Sequence, residues 1–155
     1  MNRLTEIRAG LGASLAAAFA PDYQVVAFMI AAPTPPGFQI APDRMQYHEE
    51  LGDPTLYRFI VIGATGYAGD LIAQQNLDQL LDDRVDVSDP PSVREALEAD
   101  QRLSWRLQDD GSILTGQPAA CDDVTVVGCS GYRLYPLQDR QQWVLGAEWE
   151  VEVRT

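Results

Sequence analysis

The last stretch of the chain alternates strictly between apolar and charged side chains. In 142–154 the apolar members of the alternation are Ala147, Trp149, Val151 and Val153, and the charged members are Glu148, Glu150, Glu152 and Arg154. Successive side chains of a β-strand point to opposite faces of its sheet, so this period of two predicts a strand. We expect the apolar side chains in the core and the glutamates facing solvent or a neighbouring subunit.

Apolar patterning predicts the other elements in the order helix, four strands, two helices and two strands. The predicted helices are 4–19, 70–81 and a short one that begins at Asp89-Pro90; the predicted strands are 24–29, 38–40, 45–47, 56–63, 124–135 and 142–154. A proline-rich connector at 32–37, an acidic loop at 82–89 and turns at 51–54, 109–111 and 136–140 separate them. This order predicts an α+β fold, with a mixed, largely antiparallel sheet of about five to six strands flanked by an N-terminal helix and two middle helices. At 155 residues, we expect one domain over 1–155.

The predicted strand 56–63 is apolar on both faces. Leu56, Ile60 and Ile62 lie on one face, and Tyr57, Phe59 and Val61 lie on the other. A strand that is apolar on both faces is typical of a fully buried position in a sheet. We therefore expect this strand to be central, or to turn one face toward a partner chain.

The first 20 residues imitate a secretory signal, with Arg3 and Arg8 before an apolar stretch and Ala18-Phe19-Ala20 at its end. Apolar residues recur there at helical spacing, at Leu4, Ile7, Leu11, Leu15 and Phe19. Because this stripe runs through the part that a signal would keep basic, we predict an amphipathic helix that ends before Pro21. No apolar run is long enough to span a bilayer.

The charge balance excludes some classes of partner. Eleven basic residues against 23 acidic ones give a net charge of −12. A protein that binds nucleic acid through its phosphates, or an anionic membrane through its headgroups, needs a basic face instead. All the basic residues are arginine, which suits bidentate pairs at interfaces. GC-rich codon usage explains the same bias more simply.

Two cysteines, Cys121 and Cys129, are too few for a disulfide framework or a zinc site. On one strand they would lie about 27 Å apart, at about 3.4 Å per residue, and could not bond to each other. We expect both to be small buried or half-buried residues of a reduced compartment.

No motif completes a catalytic or metal site. Gly128-Cys129-Ser130-Gly131 lacks the second spacer of a nucleophile elbow, and the single histidine, His48, has no second histidine with which to bind a metal. The acidic groups lack the spacing of a calcium loop; they are Asp78, Asp82, Asp83, Asp86, Asp89, Asp109, Asp110, Asp122 and Asp123. We therefore predict that the chain is not an enzyme and has no catalytic residues, metal site or cofactor.

Glycines recur in Gly63-Ala64-Thr65-Gly66-Tyr67-Ala68-Gly69, between a predicted strand and a predicted helix. The segment resembles the nucleotide loops of short-chain dehydrogenases, where glycines let the backbone approach pyrophosphate at a helix N-terminus. Its context differs, because 62 residues with a helix and several strands precede it and only 86 follow it. We predict a strand-to-helix turn that uses glycine for positive φ. The alternative is a small NAD(P)-dependent oxidoreductase that uses Gly63, Gly66 and Gly69.

Several segments follow one another in an order and spacing that match a known family. They are the helix 4–19, Pro33-Thr34-Pro35-Pro36, the helical segments 73–81 and 92–100, Gly128-Cys129-Ser130-Gly131-Tyr132-Arg133, Leu145-Gly146-Ala147-Glu148-Trp149 and the terminal strand. In these segments, and over nearly its full length, the chain resembles the tail terminator (tail completion) proteins of long-tailed phages, especially those that infect high-GC actinobacteria. The segment 63–69 is richer in glycine than this family pattern.

The resemblance implies a structural virion protein at the tail–neck junction, assembled in the host cytoplasm. Members of this family form a ring of six on the finished tail tube, end its polymerisation and present the surface that joins the head. The implied partners are further copies of the chain, the tail tube protein below and a head-completion (stopper) protein above, with no membrane. Six copies would carry a charge of −72, and part of it facing the channel would let DNA pass without specific binding. Another neck protein, of the tail tube or head-completion kind, would share this composition.

Overall fold

Helices and strands alternate in groups along the chain, as the sequence predicts. The computed structural model describes residues 2–29, 35–47, 55–82, 91–136 and 142–155. Its helices are α1 (Arg3–Phe19), α2 (Leu71–Leu81) and α3 (Val93–Glu98). Its strands are β1 (Gln24–Val26), β2 (Gly37–Gln46), β3 (Leu56–Tyr67), β4 (Arg106–Leu107), β5 (Ile113–Leu114), β6 (Asp123–Cys129), β7 (Arg133–Pro136) and β8 (Trp143–Arg154).

Some predictions fall outside the described residues. They are the turn at 51–54, His48, the Asp89-Pro90 helix start, and most of the connector 32–37, of the acidic loop 82–89 and of the loop 136–140.

Six strands form one sheet in the order β1-β2-β3-β8-β6, and β7 also pairs with β8. Every pairing in this sheet is antiparallel except that of β1 with β2. The two short strands β4 and β5 form a separate hairpin. The predicted α+β fold with a mixed, largely antiparallel sheet is confirmed.

The alternation in β8 sets the two faces of the sheet. Ala147, Val151 and Val153 have no exposed surface and Trp149 is 2% exposed, while Glu150 on the opposite face is exposed. Trp149 lies beside Val61 of β3 on one side and Cys129 of β6 on the other. The period-two prediction is confirmed, and the apolar face of β8 lies against the helices.

Strand β3 is central, as expected, with β2 on one side and β8 on the other. Phe59 and Val61 are fully buried in the core, whereas Ile60 and Ile62 point to the opposite face and are half-buried. The apolar side chains on one face of β3 therefore pack in the core, and those on the other face form part of a partly exposed surface.

Strand β2 was predicted as two pieces around Pro42 but is continuous from Gly37 to Gln46. The pairing with β3 shifts between Pro42 and Arg44, so Asp43 is a β-bulge. Since β1 pairs with β2 only as far as Gln39, Pro42 has a strand on one side alone among the described residues, and a missing N–H is tolerated there.

Helix α1 is confirmed in position but is not amphipathic. Its middle, from Ile7 to Ala16, is buried on nearly every side apart from the half-buried Arg8. The sheet covers one side, and Leu103 with the β4–β5 hairpin covers the other, a hairpin that apolar patterning did not predict. A Cβ at Gly10 would lie 2.9 Å from that of Leu103, so glycine is what lets the second layer approach.

Helix α2 begins at Leu71, one residue later than predicted, because Asp70 is its N-cap and its carboxylate accepts a hydrogen bond of 2.9 Å from the Ile72 N–H. Helix α3 begins later than predicted. Its N-cap is Ser92, which forms a reciprocal capping box with Glu95, and the predicted start at Asp89-Pro90 lies outside the described residues. Ser92, the residue directly before Val93, therefore caps the helix.

The predicted strand 124–135 is two strands, β6 and β7, that run in turn along β8. Between them Gly131 has a φ of +77°, which bends the chain out of the ladder. Ser130 bridges the gap, because its N–H donates to the Glu148 carbonyl at 2.9 Å and its hydroxyl accepts from the Glu148 N–H at 3.0 Å. Strands β6 and β7 therefore pair in turn with the same side of β8, and Ser130 bridges the interruption between them.

Candidate functional site

The glycine-rich segment is mostly strand. Strand β3 continues through Gly63 and Gly66 to Tyr67, so the predicted strand-to-helix turn is reduced to residues 68–70. Only Gly69 has a positive φ, of +90°. A Cβ at Gly63 would lie within 3 Å of Phe38 and Trp149, and one at Gly66 would lie 2.9 Å from Ala73. These two glycines make room for neighbouring side chains, which corrects the prediction that they supply positive φ.

This geometry differs from that of a dinucleotide-binding loop. In such loops the glycines follow a strand of a parallel sheet and lead into a helix N-terminus that faces phosphate. Here both neighbours of β3 are antiparallel, and the carboxylate of Asp70 already caps α2. A second anion at the same helix end would be repelled by that carboxylate.

We expect NAD and NADP to leave the protein's thermal stability unchanged at millimolar concentration. A ligand at 100 times its dissociation constant would raise the free energy of unfolding by about 2.7 kcal/mol, which thermal unfolding detects easily. A nucleotide-binding dehydrogenase in the same buffer serves as the positive control. A clear rise in Tm with either nucleotide would contradict the packing role of Gly63 and Gly66.

The two thiols are poor nucleophiles at neutral pH. Cys121 is buried just before β6, and burial together with Asp100, Asp122 and Asp123 raises the pKa of its thiol to about 12. Cys129 is exposed at the end of β6, which corrects the expectation that it is at least half-buried, and partial desolvation of its sulfur still raises its pKa. Neither is in a disulfide.

The described parts of the chain bring few reactive groups together. No cluster of three or more His, Cys, Asp or Glu side chains occurs among the described residues. A cavity of about 380 Å³ lies between the C-terminal end of α1 and α2, and among the described residues that line it Asp22 is the only charged one. Among the described helices, none is long and apolar enough to cross a membrane.

The most distinctive surface is the side of the sheet that faces away from the core, which we call the outer face. It consists of Ala41 and Arg44 of β2, Arg58, Ile60 and Ile62 of β3, Glu148, Glu150, Glu152 and Arg154 of β8, Asp123 and Thr125 of β6, and Arg133 of β7. Gln39 of β2 lies on the same side of the sheet but is buried. The described helices lie on the core side instead, where the buried residues of β3 and β8 meet α1, α2 and α3. The outer face is therefore a broad, partly apolar surface within the described fold.

Three ion pairs of the described residues lie on the outer face, two of them between strands and one within β8. Arg58 of β3 reaches Glu152 of β8 at 3.3 Å, Arg154 reaches the same carboxylate at 3.4 Å, and Arg133 of β7 reaches Glu148 at 2.7 Å. On the sheet register this face has four arginines (Arg44, Arg58, Arg133 and Arg154) and four carboxylates (Asp123, Glu148, Glu150 and Glu152). It is balanced in charge, although the chain as a whole carries −12.

Side chains from the helices cover backbone groups at both edges of this sheet. At the β2 edge, Arg8 of α1 donates to the carbonyls of Ala27 at 3.1 Å and Ile40 at 3.0 Å. At the β6 edge, the carboxylate of Glu98 of α3 accepts a hydrogen bond of 3.1 Å from the Val126 N–H. Sequence patterning missed both residues, because nothing in the pattern tells which strands end the sheet.

No family model matches the chain, and no curated protein sequence matches it.

Proposed function

We propose that this chain is a structural virion protein of the tail terminator type. It would form a ring on the end of the tail tube, end tube polymerisation and contribute to the joint between tail and head. The observation that carries the proposal is the outer face, a charge-balanced surface with half-buried Ile60 and Ile62 on a strongly acidic chain.

A tail tube grows by head-to-tail contacts that do not close along its axis, so its own geometry does not end it. A terminator must cover the growing end with a surface that fits a subunit below and offers no further tube site above. A neutral, partly apolar face suits the first task, because acidic copies repel one another less where charge is balanced. The half-buried isoleucines supply apolar area that a partner can cover.

The segments that resemble the terminator family fall on the elements that build the fold. Segment 4–19 lies within α1, 73–81 within α2, and 145–149 within β8; 92–100 contains α3 and its capping box. The resemblance thus concerns the packed elements, and one of them, β8, also contributes to the outer face together with β2, β3 and β6.

A phage that lacks this protein tests the proposal. We expect filled heads and separate tubes that run past their normal length, because nothing ends polymerisation. Electron microscopy of the lysate measures both, and supplying the wild-type gene in trans should restore joined particles. Normal-length tails attached to heads would refute the proposal. Tails of normal length that stay unattached would favour a head-completion protein instead.

A complementation series connects this phenotype to the outer face. We expect Ile60→Glu to fail to restore joined particles, because it places a desolvated charge in the proposed contact. Leu114→Glu is the matched control, since Leu114 is partly exposed on β5, away from the sheet. Both purified variants are checked for an unchanged circular dichroism spectrum and cooperative unfolding. Restoration by Ile60→Glu would remove the outer face from the proposed function.

A further inference from the structure

Nine of the twelve large apolar side chains that are exposed on the described surface fall in two groups. The first group, cluster A, consists of Tyr67, Leu71, Ile72, Leu134 and Trp143, which are 43–66% exposed. Its members lie around one corner of the sheet. The Ala68 N–H donates to the Trp143 carbonyl at 2.8 Å, Leu134 lies beside Leu145, and α2 begins at Leu71.

The second group, cluster B, consists of Phe28, Met29, Met45 and Tyr47, which are 39–70% exposed. Phe28 and Met29 follow β1, which runs parallel to β2, and Met45 lies near the end of β2 beside Tyr57. Since the sheet order is β1-β2-β3-β8, with β7 beside β8, clusters A and B lie toward opposite edges.

We propose that cluster A of one copy binds cluster B of the next, so that the chain associates head to tail with itself. The proposal rests on the ring of the proposed function and names the surfaces that build it. Two different surfaces on opposite edges define a heterologous contact, which closes into a ring when the rotation between copies closes.

The areas fit such a contact. A large apolar side chain that is about half exposed offers roughly 100 Å², so each cluster offers roughly 400–500 Å². A stable interface buries about 800 Å² on each partner, and roughly 60% of that is apolar. Each cluster therefore supplies about the apolar area that one side of such an interface needs, and a polar rim supplies the rest.

The charges beside the clusters are complementary. Cluster A is bordered by acidic α2, with Asp70 directly before Leu71 and Asp78 bonded to the hydroxyl of Tyr132. In cluster B, the guanidinium of Arg8 lies 4.6 Å from the centre of the Phe28 ring. Arg44 precedes Met45 and forms no ion pair within the described residues.

Among the described residues, each cluster also has a nearby charge of the other sign. Arg133 beside cluster A is already paired with Glu148, and Asp43 in the bulge of β2 is the acidic residue beside cluster B. The border of cluster A is thus mainly acidic, and that of cluster B is mainly basic. This difference favours contact between cluster A and cluster B over contact between two like clusters.

The test uses the purified full chain and measures its mass in solution by light scattering and native mass spectrometry. We expect wild type to form closed oligomers. Ile72→Glu in cluster A and Tyr47→Glu in cluster B should each weaken self-association by about 30-fold or more, as the loss of a central apolar contact does. Leu114→Glu is the control and should assemble like wild type. Thermal unfolding confirms that each variant is folded.

Mixing the two variants tests the head-to-tail geometry. The Ile72→Glu chain keeps an intact cluster B and the Tyr47→Glu chain keeps an intact cluster A, so the mixture should form a dimer with one copy of each. A wild-type chain that stays monomeric would overturn the inference, while the phage experiment would still decide the proposed function. Wild-type rings that survive both substitutions would also overturn it and leave the proposed function standing. Loss of assembly without rescue on mixing would indicate contact between like surfaces and overturn the head-to-tail arrangement.

Discussion

Replacing Trp149 with alanine should lower the free energy of unfolding by about 3–5 kcal/mol, the usual cost of removing a large aromatic side chain from a core. Trp149 is 2% exposed, and its ring centre lies 6.3 Å from that of Phe38. Phe38 in turn packs on Phe19 and Tyr23, with ring centres 5.2 and 5.3 Å away. The substitution therefore leaves a cavity where β8, β2 and α1 meet. Chemical unfolding followed by circular dichroism measures the effect.

Two substitutions on the same strand serve as controls. Glu150→Gln, on the outer face, should change the free energy of unfolding by at most about 0.5 kcal/mol. Trp143→Ala makes the same change as Trp149→Ala at a half-exposed position, and in dilute protein it should cost about 1 kcal/mol or less. Equal effects at 149 and 150 would show that the period-two assignment of the two faces of β8 is wrong.

Replacing Arg106 with methionine should cost about 3 kcal/mol, because each buried carbonyl that loses its donor costs about 1–3 kcal/mol. The Arg106 guanidinium is nearly buried and donates to three carbonyls, those of Leu103, Trp105 and Pro118. These bonds hold the residues just before β4 and the residue Pro118 after β5 around one side chain of β4. Chemical unfolding again measures the loss.

Arg102→Met is the matched control, since Arg102 is exposed on the same segment, and it should change stability by no more than about 0.5 kcal/mol. Arg106→Lys tests geometry apart from charge. A lysine ammonium lacks the planar fork that reaches several carbonyls, so this variant should still lose stability. Equal stability of Arg106→Met and Arg102→Met would rule out the bonding role.

Local periodicity predicted those elements whose buried side chains follow a regular spacing within the element itself. The alternation in β8 and the spacing of Leu77 and Leu80 in α2 fix which side chains point inward, and both are buried as expected. Helix α1 shows the limit. Its position followed from the spacing of Ile7, Leu11 and Leu15, but its burial on both sides depends on Leu103, about ninety residues later in the chain. A local pattern contains no information on such a distant layer.

The candidate site was harder to predict for the same reason. The glycines of β3 suggested a turn because their spacing matches a turn motif, yet Gly63 is required by the rings of Phe38 and Trp149 from two neighbouring strands. The outer face depends on register, since Arg58 meets Glu152 only once β3 and β8 are paired. Strand register brings together residues that sequence spacing keeps almost a hundred positions apart.

The contacts of Arg8 and Glu98 have a consequence for assembly. An open strand edge is a template on which another chain can add a strand, and repeated addition produces a fibre without a defined end. Here the Ile40 carbonyl and the Val126 N–H are already bonded to side chains of the same molecule. Copies of this protein are thereby hindered from extending one another's sheets at these two positions. A protein that we propose ends the growth of one polymer thus has two edge positions at which its own growth into a fibre is hindered.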